Sequence, residues 1–312
     1  MAATSDSAPQ VVGLGMCTLD MFFVVPEIPD FGQGIMATAY MRQGGGPVAT
    51  ALVTLTRLGV STRLIGSIGD DDEGALIRDE LRQEGVDVGG LRTTPGARSR
   101  VALVLVHKDS GERGFAGRPE TCPELQPADL ALEEFGDALI LIIDNASPAT
   151  VQAASWARAR GMRVVFDGTW TSEHLDRLLP LVDVPIVSVP FVRAWMPGAS
   201  PRAVLDRLWL HAPQLAVLTL GEQGCAVRSE TGARRYPAYP MEAVDTTGAG
   251  DAFHGGFIYG LLQGWDEIHT VRFASAVAAL NCRQLGGRTA LPRLQEVARF
   301  LCVQDDLQPL PL

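Results

Sequence analysis

The 312-residue chain is 46% hydrophobic and 20% charged, with a formal net charge of -10. That composition supports a packed core, enough for one sizeable α/β domain or two smaller ones, and excludes a disordered chain. The acidic balance argues against general binding to nucleic acid or an anionic membrane, although backbone amides can still gather an anion locally.

No apolar run approaches the ~18 residues of a membrane span. "MAATSDSAPQ" has neither the basic start nor the apolar centre of a secretion signal. The five cysteines, Cys17, Cys122, Cys225, Cys282 and Cys302, are scattered and never form C-x-x-C. They read as small buried hydrophobes in a reducing cytoplasm rather than as a disulfide or zinc framework.

Along the chain, residues 20–44 contain "FFVVPEIPDFGQGIMATAYMRQ", which has no helical period. "QGGGPVATALVTLTRLG" follows, with Val48, Leu52, Leu55 and Leu58 on one helical face and Gly59 as a stop. "RLIGSIG" reads as a strand and "DDEGALIRDELRQEG" as a helix with an acidic start and a terminal Gly85. Residues 98–117, "RSRVALVLVHKDSGERGFAG", read as a hairpin turning at Lys108–Gly111. "ALILII" precedes the helix "PATVQAASWARARG", with Pro148 near its start and Gly161 just past its end. "RVVFD", "VPIVSV" and "LAVLTLG" are further apolar runs. Continuous apolar strands joined by helices indicate a mostly parallel sheet covered on both faces, a three-layer α/β/α arrangement. The two irregular stretches, 20–44 and 98–117, are expected to form a small β-sheet over one edge. Helices are expected over about 249–263, 266–284 and 292–302, and no linker divides the chain, so residues 1–312 read as one domain.

Within "DTTGAGDAF", from Asp245 to Phe253, Gly248 and Gly250 are expected to precede a helix because glycine weakens a helix interior. Phe253, Phe257, Leu261 and Leu262 then share a helical face. A glycine-rich turn feeding a helix N-terminus collects anions. "VLTLGEQGCAVRS" reads as a strand ending in Gly221, a turn through Gly224 and a returning strand.

Four motifs in this order, "GG-x-x-x-T-x-A" near residue 50, "GSIGDDDEG" at 66–74, "TLGEQG" at 219–224 and "DTTGAGDAFHGGF" at 245–257, resemble the ribokinase or PfkB-type carbohydrate kinases. The resemblance covers residues 11 to 302. It implies a ribokinase-like fold with a β lid, and ATP- and Mg2+-dependent transfer of the γ-phosphoryl group to a sugar hydroxyl. Phosphoryl transfer needs positioning, charge stabilisation and a proton acceptor. By resemblance, Asp251 is the catalytic base and the amides at Gly248, Ala249 and Gly250 form the anion hole. Asp245 and Thr247 match positions that in some members help bind a monovalent cation such as K+; turn formation is the alternative reading. Asp20, Gly45, Gly46 and Thr50 match sugar-binding positions, with Thr50 standing where many members have asparagine. Asn145, at a strand end, and Arg118, near the hairpin, are further substrate candidates. Thr219, Gly221 and Gly224 match the strip beside ATP, and Ala278 and Cys282 the helix bordering adenine.

The N-x-x-E motif of many members is missing after "VPIVSV"; the chain has "SVPFVRAW", which leaves magnesium to be held mostly by ATP and water. Ser188, "GGPVAT" and the tail "AALNCRQLGGRTALPRLQEVARFL" are similar to the ketohexokinase-like and sulfofructose-kinase-like branch, so a ketose or modified ketose is the favoured substrate. A nucleoside kinase of the same fold and a non-catalytic sugar-binding relative stay open. The family often pairs its lids, so a homodimer is expected.

Overall fold

The computed structural model describes residues 8–109, 113–211, 213–304 and 308–312. In chain order the elements are β1 (Val11–Leu14), β2 (Thr18–Val25), β3 (Ala39–Gly45), α1 (Pro47–Arg57), β4 (Thr62–Gly69), α2 (Asp72–Gln83), β5 (Asp87–Thr94), β6 (Val101–His107) and β7 (Arg113–Arg118). Then come β8 (Ile140–Ile143), α3 (Pro148–Ala159), β9 (Arg163–Gly168), α4 (Leu175–Leu178), β10 (Val184–Ser188), α5 (Val189–Trp195), α6 (Pro201–Trp209), β11 (Ala216–Thr219), β12 (Cys225–Ser229) and β13 (Gly232–Tyr236). The chain ends with α7 (Ala249–Leu262), α8 (Glu267–Asn281), α9 (Leu294–Val303) and β14 (Leu310–Pro311).

The large sheet has the strand order β14-β13-β12-β11-β10-β9-β8-β1-β4-β5. It is parallel from β5 across to β11 and antiparallel from β11 through β12 and β13 to β14. Its central strands explain the apolar runs. Along β8, Ile140 and Ile142 join the core that contains α1, α7 and α8, whereas Leu141 and Ile143 join the core that contains α3 and α6. A strand whose alternate side chains meet helices on both faces has no position for a polar residue until it ends. Among the described residues no helix is long and apolar enough to cross a membrane.

Helix ends follow their sequence signals. The carboxylate of Asp71 accepts from the Gly74 amide and caps α2, and Ser147 caps α3 by accepting from the Thr150 amide. Gly59, Gly85 and Gly161 take positive φ directly after their helices.

A smaller four-stranded sheet, ordered β3-β2-β6-β7, is built from the two irregular stretches. β2 pairs antiparallel with β3 and parallel with β6, and β6 pairs antiparallel with β7. Part of the expected turn at Lys108–Gly111 lies outside the described residues. On one face of this sheet Phe22, Val104 and Val106 are buried and pack with Leu285, from the segment after α8. The small sheet is thereby laid against the segment that follows the C-terminal helix pair.

One expectation fails inside α7. Gly250 lies within its first turn rather than before it, and Gly255, Gly256 and Gly260 continue the helix. Close packing accounts for the interior ones. A Cβ on Gly255 would lie 2.6 Å from Thr54 Cβ of α1, and one on Gly256 would lie 2.9 Å from Ala274 Cα of α8. The neighbouring helices approach the α7 backbone so nearly that only glycine fits.

Candidate active site

The site assembles at the carboxyl ends of β1, β8 and β9, beside the small sheet, the usual ligand edge of an open α/β sheet. Gly248 caps α7 in a left-handed conformation, with φ 72° and ψ 0°. A side chain there would be strained by that backbone and would meet the Gly287 Cα at 2.9 Å. The turn therefore delivers the chain into α7 with its first amides at the helix N-terminus, where they have no intrahelical acceptor. The Ala249 amide turns back to the Thr246 carbonyl at 3.2 Å, so the first free donors belong to Gly250 and Asp251.

Asp251, in that same first turn, is half-buried. Its carboxyl is raised well above the ordinary carboxylate range, first by burial and then by the nearby charge of Asp167; Asp20 and Asp144 add to the rise, and Arg288 opposes it. Carboxylates from β2, the end of β8 and β9 therefore lie within electrostatic reach of the one on α7. Asp20 is also raised by burial, against the hydrogen bond from Thr18 Oγ1 at 2.6 Å and the pull of Arg288. Asp144 is fully buried and is pushed up to about 6 by burial, while its Oδ2 accepts from the Met16 amide at 2.8 Å. Asp167 accepts from Thr169 Oγ1 on one oxygen, and its buried Oδ2 has no hydrogen-bond partner.

Arg288 holds the floor together. It is 1% exposed, and its guanidinium donates to the Gly45 carbonyl at 2.8 Å, to Thr50 Oγ1 at 3.1 Å and to Glu80 at 3.2 Å. Its own amide donates to Gln43 Oε1 at 2.9 Å. One side chain thus ties the segment after α8 to β3, α1 and α2. Gly46 caps α1 with φ 94°, and a side chain on it would strike the Met16 carbonyl at 2.5 Å. Gly45 lies flat against the Asp20 carboxyl. These glycines bring bare backbone beside a carboxylate, which suits a ligand with vicinal hydroxyls.

Comparison with known proteins decides the family. The pfkB family of carbohydrate kinases matches residues 8–294. The chain belongs to that family. Its members transfer phosphate to an alcohol group, so this kinase is a phosphotransferase of that type. It is 30% identical over 292 residues to fructokinase-1 of Oryza sativa, covering 85% of the chain and 90% of the relative. It is 29% identical over 300 residues to the ATP-dependent ribose-1-phosphate kinase of Halopiger xanaduensis, covering 95% and 99%. A putative ribokinase from Agrobacterium tumefaciens superposes with a TM-score of 0.84 at 26% identity, covering 96% of this chain and all of that one. A nucleoside kinase from Burkholderia thailandensis solved with inosine shares the fold, with a TM-score of 0.79 at 22% identity and coverage of 96% and 98%.

Not every residue singled out in the sequence reaches the cleft of this kinase. Thr50 is 1% exposed, and its hydroxyl receives Arg288 instead of facing a ligand. Arg118 donates to the Ser99 carbonyl at 2.9 Å and pairs with Asp71 and Glu73, so its charge is committed to the start of α2. Asn145 does face the site. Its amide nitrogen donates to Asp144 at 3.1 Å, while its buried Oδ1 lacks a partner and lines a cavity of about 430 Å³.

On the other flank, Thr219 ends β11, Gly221 and Gly224 turn the chain with φ 63° and 86°, and β12 returns antiparallel. Ala278 and Cys282 meet one turn apart at the end of α8, where the Cys282 thiol donates to the Ala278 carbonyl at 3.3 Å and burial raises it to about 11. The Cys282 carbonyl in turn receives the Val244 amide at 2.9 Å, fixing the entry to the Asp245 turn. Asp245 is 1% exposed; its Oδ1 accepts from the Thr247 amide at 2.9 Å and hydroxyl at 2.7 Å, and its Oδ2 from the Gly286 amide at 2.9 Å.

Sequence reading missed Asp144, Asp167, His254 and Arg288. His254, one turn along α7 from Gly250, places Nδ1 2.7 Å from the Gly250 carbonyl and 3.6 Å from Asp167 Oδ2. The two aspartates did carry a signal, since each is the charge that closes an apolar strand at the ligand edge of the sheet.

Proposed function

We propose that this kinase transfers the γ-phosphoryl group of ATP to a hydroxyl of a neutral sugar, a ketose being favoured, with Asp251 as general base. The observation that carries the reading is the Asp251 carboxyl, raised by burial among Asp167, Asp20 and Asp144 and standing in the first turn of a helix whose leading amides are free. A base with a raised pKa takes a proton from an alcohol more readily than an ordinary carboxylate does. The amides of the same turn meet the charge on the transferred group. The oxygen–phosphorus bond forms as the bond to the ADP oxygen breaks, and the alcohol proton passes to Asp251.

Asp20 and the Gly45–Gly46 backbone hold the sugar hydroxyls, and the Thr219–Gly224 strip with Ala278 and Cys282 borders the nucleotide. Among the described residues no group of three acidic, histidine or cysteine side chains is arranged to hold a metal. Magnesium would be held mainly by the ATP phosphates and its own water. The unpartnered Oδ2 of Asp167 is the oxygen best suited to accept from that water shell. Magnesium bound with ATP would neutralise phosphate charge.

The four-stranded sheet acts as a lid that excludes water when sugar and ATP are bound. Its outward face presents Phe23, Tyr40, Leu103 and Leu105, with Tyr40 53% and Leu103 37% exposed. An apolar sheet face of this kind supports lid-to-lid pairing of two copies.

A second reading, a nucleoside acceptor, is favoured by the cavity beside Asn145. Its walls include Met16, Leu125 and Trp170, and its Arg100 is already paired with Glu120. Such a chamber takes a planar uncharged group more readily than a phosphate or sulfonate. One experiment separates these readings: ATP turnover with magnesium across ketoses, aldoses, their phosphates and sulfonates, and nucleosides, repeated for Asp251→Asn. The variant is expected to keep sugar binding by calorimetry and to lose about 10³-fold or more in turnover. Near-normal turnover by the variant would remove Asp251 from the chemistry.

A further inference from the structure

Asp245 raises a question of charge. It is 1% exposed beside the anion-binding turn, and a buried carboxylate needs a compensating charge. A resident K+ would require oxygens free to surround it. Here Asp245 Oδ1 already accepts from both Thr247 groups, Oδ2 accepts from the Gly286 amide, and the Thr247 carbonyl accepts from Asn281 Nδ2 at 3.0 Å. The buried Asn281 Oδ1 has no partner, but a neutral oxygen does not balance the carboxylate. A positive charge is nevertheless already there. The guanidinium of Arg113, from β7 of the small sheet, stands 3.7 Å from Asp245 Oδ1 and donates to Thr246 Oγ1. A guanidinium is a cation throughout the physiological pH range. With that guanidinium in place the Asp245 carboxylate is already neutralised and a K+ beside it would be repelled, so a monovalent cation fits the turn only where the arginine is absent.

We propose that Arg113 stands in place of a monovalent cation at the Asp245 turn, so that the reaction needs no K+. Because Arg113 is carried by the small sheet, the turn that precedes the anion hole is neutralised only when that sheet lies over it. Arg113 is a positioning residue: it acts on phosphate through the Asp245–Gly248 turn. The proposal rests on the kinase reading above for its effect on turnover, but not for its effect on the turn itself.

The test compares wild type, Arg113→Ala and Arg113→Lys in K+, Na+ and tetramethylammonium chloride at matched ionic strength. Arg113 lies on a strand with a side chain about a third exposed, so truncation leaves the core intact. Two quantities are read: ATP turnover with the best acceptor, and melting temperature without substrate. Wild type should turn over equally in all three salts, within about twofold, and should melt at the same temperature in each. Arg113→Ala should lose roughly tenfold or more in tetramethylammonium, recover several-fold in K+, and melt higher in K+ than in tetramethylammonium. Arg113→Lys should restore indifference to K+.

A K+ requirement in wild type would overturn the proposal. So would Arg113→Ala equal to wild type in tetramethylammonium, or a loss of turnover that is the same in every salt with melting blind to K+. If no acceptor gives turnover even with wild type, the kinase reading fails by itself and the melting comparison still decides whether K+ takes the place of Arg113.

Discussion

Replacing Arg288 with methionine removes the charge that ties the floor beside Asp20 together while keeping most of the volume. In wild type the guanidinium serves the Gly45 carbonyl, Thr50 Oγ1 and Glu80. Glu80 keeps a side-chain exposure of 26% and a second donor in the Gly44 amide, so water and that amide can satisfy it in the variant. The other two acceptors are buried, and stranding them costs ~1 to 3 kcal/mol each at most. Since Thr50 can rotate its hydroxyl to its own turn, a total of about 2.5 kcal/mol is the working figure. Unfolding entropy of ~2.1 cal/mol/K per residue over this chain turns that into a fall of roughly 4 °C in melting temperature.

A purely structural residue would stop there. Arg288, however, also lowers the carboxyls of Asp20 and Asp251. Its loss should therefore move the acid limb of the turnover profile to higher pH, because a base that holds its proton more tightly is active only at higher pH. The sugar KM should rise as the segment from Gln43 to Gly46 loosens. Scanning calorimetry and pH-rate profiles on the purified variant measure all three. A variant that melts within 1 °C of wild type, with the acid limb and KM unmoved, would refute the assignment of Arg288 as the tie of the floor.

Two more outcomes follow from buried groups. Asp144 holds its proton in the folded state up to about 6, against 3.8 for an ordinary aspartate. The folded chain thus binds more protons than the unfolded chain between those values, and stability falls as pH rises through that window, by about 3 kcal/mol for this group. Asp144→Asn should remove that slope, so its urea midpoint relative to wild type should climb from pH 4 to pH 7; parallel curves would contradict it. Gly255→Ala should cost ~1 to 3 kcal/mol, because its methyl would lie 2.6 Å from Thr54 Cβ and 3.0 Å from the Ala51 carbonyl. An unchanged urea midpoint would show that α1 and α7 are less closely packed than described.

What the sequence disclosed depended on how local the determining physics is. The ends of α2 and α3 were legible because an acidic first turn, Pro148 and the glycines Gly85 and Gly161 mark a helix end within a few residues of it. The alternation of apolar strands and helices was legible because a sheet covered on both sides leaves no polar position in its middle strands. Gly250 was misplaced since the penalty for glycine applies to a helix interior, whereas the amide of a first-turn residue has no intrahelical acceptor. Gly255 and Gly256 answer to Thr54 and Ala274, and no local window contains those neighbours.

The site shows the same division. "DTTGAGDAF" is contiguous, so its turn, cap and carboxylate could be read together. Arg288 gathers partners from β3, α1 and α2, more than two hundred residues earlier in the chain. Nothing near "GGRTALP" announces them. Thr50 and Arg118 show the converse: each occupies a promising place in the sequence, yet a partner brought by the fold takes its polar group away from the cleft. A polar side chain can be assigned to a ligand only after its competing partners within the fold are known. By that criterion Asp251, which feels three carboxylates opposed by one arginine, remains the candidate for the proposed proton acceptor.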